Sequence, residues 1–359
     1  MKKTVMKLSA AFLALVMLCS CNSANVLKTE TLSDKLTQTS VVTESDILQQ
    51  EDYGTFFNTF KSSFTVPGLF EGVIPQGMCY DETTDSILIT GYYEDGAFPS
   101  TVMCIDAETG KFSGSHPLKT VDGDFYYGHA GGIASSRNTV YITSSGECCT
   151  FPSSTLQTLK NGEAVQFTSR FKLNTLGSFA CIHDNTLWTG DFIESDDSER
   201  KKVDCVCTLS SGETFYAFCE GYILEDGLPS VDSINSTSDG YIPDYMLAIP
   251  EQVQGMAFTK TDGIIFSTSY GRKNNSKLYI YSDVLITEKS GTKNIDGKNV
   301  DLYACSNDLL KSEITAPPMA EGLAEHSDGI YIVFESGAAK YRNGNGKYPV
   351  DTLFITNIE

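Results

Sequence analysis

The chain has 359 residues, 41% of them hydrophobic and 20% charged, with 46 acidic side chains against 26 basic ones and a net charge of −20 at pH 7. An acidic surface repels phosphate backbones and anionic headgroups, so nucleic acid is excluded as an expected partner. The length suits one large all-β domain or two ordinary ones, and no apolar run reaches the ~20 residues that span a bilayer.

The N-terminus carries an address. Lys2, Lys3 and Lys7 precede an apolar run over 8–18, the layout of a secretory signal. The run closes on Leu18-Cys19-Ser20-Cys21, which resembles the lipobox of bacterial lipoproteins. The resemblance implies that residues 1–20 are a signal peptide and that Cys21 becomes the lipidated N-terminus. It also implies an extracytoplasmic protein, lipid-anchored to a bacterial membrane. Acyl chains contribute ~0.8 kcal/mol per buried CH₂, so two or more hold a protein stably. An ordinary signal peptide that happens to end in cysteine is the alternative.

Residues 21–45 are rich in Ser, Thr, Lys and Glu without periodicity and read as a flexible tether; the folded domain is then 46–359. A short helix is predicted over 45–60, with Ser45 or Asp46 as cap and Leu48, Phe56, Phe57 and Phe60 as its apolar face. The strand-like Phe64-Thr65-Val66-Pro67 follows.

From there one pattern recurs. Gln76-Gly77-Met78-Cys79 leads through Thr84-Asp85 to Ile87–Thr90, and Gly131-Gly132-Ile133-Ala134 through Arg137-Asn138 to Val140–Thr143. Ser178–Cys181 leads through Asp184-Asn185 to Leu187-Trp188-Thr189, Val253–Thr259 through Asp262-Gly263 to Ile264–Ser269, and Glu321–Ala324 through Asp328-Gly329 to Ile330–Val333. Apolar alternation on both sides of a turn reads as an antiparallel hairpin. Third strands are predicted at 101–105, 154–159, 204–209, 277–281 and 351–356, and fourth strands at 165–171 and 214–219. Segments ending in proline, Met246–Pro250 and Glu313–Pro317, lead into the fourth and fifth copies.

Four antiparallel strands per repeated unit make the blade of a β-propeller. Five copies predict five blades; a sixth would have to hide in the longer spans around 220–245 or 290–300. The last copy lacks a fourth strand while 64–66 is spare, so the N-terminal strand is expected to complete the last blade and close the ring.

The repeats, over about residues 60–359, resemble the broad class of bacterial extracytoplasmic propellers related to regucalcin/gluconolactonase-like and quinoprotein-like domains. In the regucalcin-like family a Glu opening a strand near the axis binds a divalent metal together with Asn and Asp from other blades. Glu321-Gly322 matches that first element, which implies a possible divalent metal in the central channel, but no motif supplies the other ligands. Quinoprotein blades carry recurring tryptophans, whereas Trp188 is the single one here. No Gly-x-Ser-x-Gly, His-Glu-x-x-His or phosphate-binding loop occurs.

The residue before each innermost strand should sit at the mouth of the channel. Those positions hold Gln76, Gly131, Gly177, Gln254 and Glu321, with His129 just ahead of Gly131. The ends of the second strands, at Tyr92, Asp191, Tyr270 and Glu335, form a second tier at the same or the opposite mouth. The candidate ligand-binding set is therefore Gln76, His129, Asp191, Gln254, Glu321 and Glu335; the bland alternative is that Gln76, Gln254 and Glu321 merely bond one another and water. His183 and His326 fall in hairpin turns at the solvent rim, and His116 in a loop. The 294–301 stretch has calcium-friendly oxygens, 195–202 is a solvated charge run, and Arg272-Lys273-Asn274-Asn275 is a connecting loop that could meet an anion.

Nine cysteines lie beyond Cys21, with no Cys-x-x-Cys, which argues against a zinc ribbon. Cys79, Cys104, Cys181, Cys205, Cys207 and Cys219 read as core filler; Cys148-Cys149 reads as a pair in a loop. The functional expectation is a membrane-anchored module that binds a small molecule, a glycan or an envelope protein. The alternatives are a hydrolase or lactonase working from the axial funnel, and a docking platform in an envelope complex.

Overall fold

A computed structural model of the chain describes residues 32–43, 53–194, 206–230, 240–342 and 346–358. The signal peptide, Cys21, the 195–202 charge run and Cys205 lie outside the described residues. What is described is all-β, with two short helices, α1 (Gly54–Thr59) and α2 (Ala339–Arg342). Of the helix expected over 45–60, α1 is the described part. Gly54 opens it rather than interrupting it, and Phe56 packs on Phe60, Phe334 and Phe354.

The strands form a β-propeller arrangement. After β1 (Lys61–Thr65), the first sheet runs β2 (Val73–Asp81), β3 (Ser86–Tyr93), β4 (Thr101–Asp106) and β5 (Phe112–Lys119). The second uses β6 (Gly132–Ser136), β7 (Thr139–Ser144) and β8 (Glu147–Pro152). Then β9 (Val165–Gln166) turns back to pair with β5, and β10 (Ser169–Lys172) completes the second sheet. In the third sheet β11 (Phe179–His183) and β12 (Thr186–Gly190) precede a separate ribbon, β13 (Cys207–Thr208) with β14 (Thr214–Phe215). The sheet continues with β15 (Ala217–Glu225), which also pairs β16 (Leu228–Pro229), and β17 (Tyr245–Ile249). The fourth holds β18 (Val253–Phe258), β19 (Ile264–Thr268) and β20 (Ser276–Tyr281); after the hairpin β21 (Gly291–Ile295) and β22 (Lys298–Ala304) it ends with β23 (Leu310–Ala316). The last has β24 (Ala320–His326), β25 (Gly329–Phe334) and β26 (Thr352–Thr356), and β1 is its fourth strand, with Lys61 opposite Ile355.

The inner strands stand side by side, β2 against β6, then β11, β18 and β24, and β24 returns to β2. The small residue of the repeat marks where they touch. A Cβ at Gly77 would lie 2.7 Å from the Gly131 carbonyl oxygen, and one at Gly322 would lie 2.5 Å from the Met78 amide nitrogen. Backbones this close leave no room for a side chain.

Several expectations are corrected. The third strand of the second sheet is β8, not 154–159, where a 3₁₀ turn follows. Cys148 and Cys149 thus lie in a strand, and alternation sends them to opposite faces. Cys149 enters the core shared with Ile133 and Phe151, Cys148 the one with Tyr141 and Tyr222. Both faces of an internal sheet are buried here, so the polar half of the alternation that marks a strand is missing. In the third sheet, 204–209 and 214–219 are not strands three and four; β15 and β17 are. The proline-ended segments are outer strands of the preceding sheets. The 294–301 stretch is the β21–β22 hairpin, with Asp296 and Gly297 at positive φ, and Asn294 Oδ1 accepts from the Gly297 amide at 3.1 Å. His116 lies in β5, buried, with Nδ1 at 2.9 Å from the Glu163 carbonyl.

The largest correction concerns the tether. Residues 32–43 lie packed along the ring, with Leu36 and Val41 in the core between the last and first sheets. Gln38 Nε2 donates to the Thr65 and Gly110 carbonyls at 2.8 and 2.7 Å, and its Oε1 accepts from the Phe112 amide. Ser40 Oγ and the amides of Val41 and Val42 all donate to Asp351 Oδ2. Leu32, Leu36, Val41 and Val42 are the segment's apolar residues and set no sustained period, so composition alone reads it as solvated.

Candidate functional site at the axial mouth

Three inner strands carry a register shift where the pattern places its long polar residues: between Pro75 and Met78, Val253 and Gly255, and Ala320 and Leu323. A bulge re-aims the extra side chain out of the ladder. Gln76, Gln254 and Glu321 sit in these bulges. Antiparallel pairing puts the ends of the second strands at the same mouth, Tyr92 opposite Ile74 and Phe334 opposite Ala320.

Gln76, His129 and Gln254 converge on one cavity of ≈ 370 Å³, part of whose wall is Ser178, Leu176 and Phe192. That wall is held by two buried carboxylates. Asp191 Oδ1 accepts the Leu176 amide at 2.8 Å. Glu220 accepts from Thr175 Oγ1 at 2.9 Å and Asn174 Nδ2 at 3.0 Å; burial pushes its pKa up to about 7 despite these donors. Asp191, expected to contact ligand, instead turns to the backbone and shapes the wall.

Glu335 joins the site through Gln76, whose Nε2 donates to Glu335 Oε2 at 3.1 Å. Burial pushes Glu335 up to about 7, although hydrogen bonds from Tyr341 and Gln76 and the charges of Lys340 and Arg272 pull the other way. Glu321, fully buried, is held well above the carboxylate range by burial and by the neighbouring Glu335. Two carboxyls this close and this dry cannot both ionise cheaply. His129 meets the Tyr92 ring at a tilt of 34° with centroids 4.4 Å apart, and Tyr92 is hydrogen-bonded to Tyr341. Burial and the Lys340 charge hold the imidazole below its ordinary value, so it is neutral at pH 7. Arg272 lies 5.0 Å over the Tyr341 ring.

Tyr341, Lys340, Phe192 and Glu220 escape sequence reasoning. The first two come from α2, after the last hairpin, outside the repeat; Glu220 sits in a strand whose position was misread.

The divalent metal implied at Glu321 does not fit these residues. The matching positions on the other inner strands are amides and glycines, and the acid near Glu321 is Glu335 from its own sheet. Among the described residues, the His, Asp and Glu atoms that converge as a group of three belong to His183, Asp184 and Asp262 instead. His183, placed by the pattern on the solvent rim, is only 18% exposed at its side chain and lies at the opposite end of the inner strands.

No family model and no curated protein matches the sequence. Among solved structures, the chain is similar to Myxococcus xanthus glutaminyl cyclase at 9% identity, over 84% of this chain and 97% of that one, with a TM-score of 0.42. It is similar to the PQQ-bound aldose sugar dehydrogenase of Streptomyces coelicolor at 14% identity, over 82% and 97%, with a TM-score of 0.42. The WD40 β-propeller domain of Doa1 matches at 9% identity, over 82% and 96%, with a TM-score of 0.37. No activity passes to this chain from likenesses at this level.

Proposed function

We propose that the chain is a five-bladed propeller, anchored outside a bacterial membrane through a lipidated Cys21, that binds a small hydroxyl-rich ligand such as a sugar at the axial mouth. The observation that carries the reading is the convergence of Gln76, His129 and Gln254 on one cavity. Two amides and a neutral imidazole donate and accept, which suits hydroxyl groups, and Phe192 with Leu176 gives the cavity an apolar part. The volume lies at the lower end of the ~300–1,000 Å³ typical of ligand pockets. The blade count rests on the side-by-side order of the inner strands, and the anchor on the lipobox-like sequence.

The test is calorimetric titration with a panel of neutral mono- and disaccharides. At least one should bind saturably, and Gln254→Ala should weaken it tenfold or more while leaving the melt intact. A panel without binders, or an unaffected Gln254→Ala, defeats the reading. For the anchor, Cys21→Ser should lose detergent partitioning.

A second reading, a hydrolase working from the same funnel, is favoured by Glu335 alone, a buried carboxyl poised near neutrality, where general acids and bases work best. Glu335→Gln would then abolish turnover of a bound glycoside or lactone without abolishing its binding.

A further inference from the structure

At the opposite end of the inner strands, hairpin turns bring together side chains far apart in sequence. His183 ends β11, Asp184 begins the turn after it, Asp262 lies in the β18–β19 turn and Glu325 lies in β24. The imidazole is fixed from two sides. Its ring stacks on Phe258 with centroids 4.0 Å apart and planes 9° from parallel. Its Nδ1 is 3.4 Å from Glu325 Oε2, while Glu325 Oε1 accepts the Phe258 amide at 2.7 Å.

An imidazole whose Nδ1–H is held by a carboxylate presents its other nitrogen as a lone pair, the arrangement that orients metal-bound histidines. Here Nε2 faces Asp262 Oδ1 at 3.2 Å and Asp184 Oδ2 at 3.9 Å. A lone pair facing two carboxylate oxygens needs positive charge between them, supplied by a second proton on the ring or by a cation.

The geometry points to the cation. One ligand atom from each of His183, Asp184 and Asp262 lies within 4.8 Å of the other two, a spread that modest side-chain rotation closes onto one ion with bonds of ~2.0–2.2 Å. We propose that these three residues form a site for a first-row divalent metal of the Zn²⁺ or Mn²⁺ class, with Glu325 as the positioning residue. The nitrogen ligand disfavours Ca²⁺ and Mg²⁺, which prefer all-oxygen shells. Three protein ligands leave the remaining positions to water, and the adjoining cavity of ≈ 180 Å³ gives access. His326 lines that cavity, but its Nδ1 accepts the Asp328 amide, which leaves its other nitrogen protonated and unfit as a ligand. Lys260 lines it too and is the charge that opposes the cation. A bound ion would clip the hairpin turn of the third sheet to that of the fourth.

The test is a titration of the EDTA-treated full chain with Zn²⁺, and separately with Mn²⁺, by calorimetry and thermal melting. One saturable site with a rise in melting temperature is expected for at least one of the two ions. Asp262→Asn should weaken it at least tenfold, and Glu325→Gln should cost on the order of 10–100-fold through the lost orientation of His183. If His183→Gln fails to fold, Asp184→Asn, at a largely exposed position, tests the same site and should also weaken binding. No saturable binding of either ion, or binding that Asp262→Asn and Asp184→Asn leave unchanged, overturns the proposal and leaves the cluster as a protonated histidine among carboxylates.

Discussion

The two mouths of the ring place a histidine at opposite ends of the inner strands and treat it in opposite ways. His129 faces the Tyr92 ring and lies within the field of Lys340, and both burial and that charge hold it neutral. His183 is also drawn down by burial, yet the bonds to Glu325 and Asp262 and the charges of Glu325 and Asp184 outweigh it and raise its pKa. The acids follow the same division. At the axial mouth Glu321 and Glu335 are buried together and raised, whereas Asp184 and Asp262 are largely exposed. One mouth is built for neutral polar groups and the other for positive charge. His129 precedes an inner strand and His183 ends one; the difference comes from what the neighbouring sheets bring up to each end.

The change with the largest expected effect removes both mouths at once. Gly322→Ala places a Cβ against the Met78 amide nitrogen and the Gln76 carbonyl oxygen, backbone atoms with no room to yield. A loss of ~3 kcal/mol or more is expected, read as a lower denaturation midpoint. Wild-type stability in this variant would mean that the inner strands are not in backbone contact.

A change confined to one mouth sharpens the contrast. Arg342 of α2 donates from Nη1 to the Val41 carbonyl at 2.9 Å, and the same helix supplies Tyr341. Deleting 32–43 exposes the core that Leu36 and Val41 cover and strips three donors from Asp351. At ~1.5–3 kcal/mol per apolar side chain, a loss of about 3 kcal/mol or more should appear in chemical denaturation. Hydrogen exchange should rise around α2 and the axial mouth and stay level around His183. A melt unchanged by the deletion would return the segment to the status of a tether.

The smallest effect is a pH slope. The folded-state pKa of Glu335 is raised from 4.5 to about 7. Its contribution is therefore fully present below the unfolded value and is lost as pH rises through about 7. The loss should appear as a shallow downward slope of stability between pH 4.5 and about 7. Glu335→Gln should flatten that part of the stability profile while matching wild type at low pH. An equally steep profile in the variant would assign the slope elsewhere.

The hairpins, the composite last sheet and the convergence of Gln76, His129 and Gln254 were legible because each rests on local chemistry. An Asp-Gly turn, a glycine where two backbones touch and a long polar residue beside it are all written within a few positions. Cys148-Cys149 was not legible, because a strand buried on both faces lacks the polar alternation that announces it. The third sheet failed differently. The strand-like 204–209 and 214–219 belong largely to a side ribbon or to the following strand, and no local signal says which of several β-prone runs joins the ring.

The sequence by itself determined the repeated antiparallel unit and the need to close it, since period-2 alternation and turn residues act over five or six positions. Only the tertiary structure decided the electrostatics. Glu335 is raised because it is sealed beside Glu321, and His183 is raised because Glu325, 142 positions away, and Asp262, 79 away, are brought to its two nitrogens. Charge interactions depend on distance and on exclusion of water, and neither is encoded in any window of the chain. The strap at 32–43 was decided in the same way, by a carboxylate at Asp351 more than 300 positions further on.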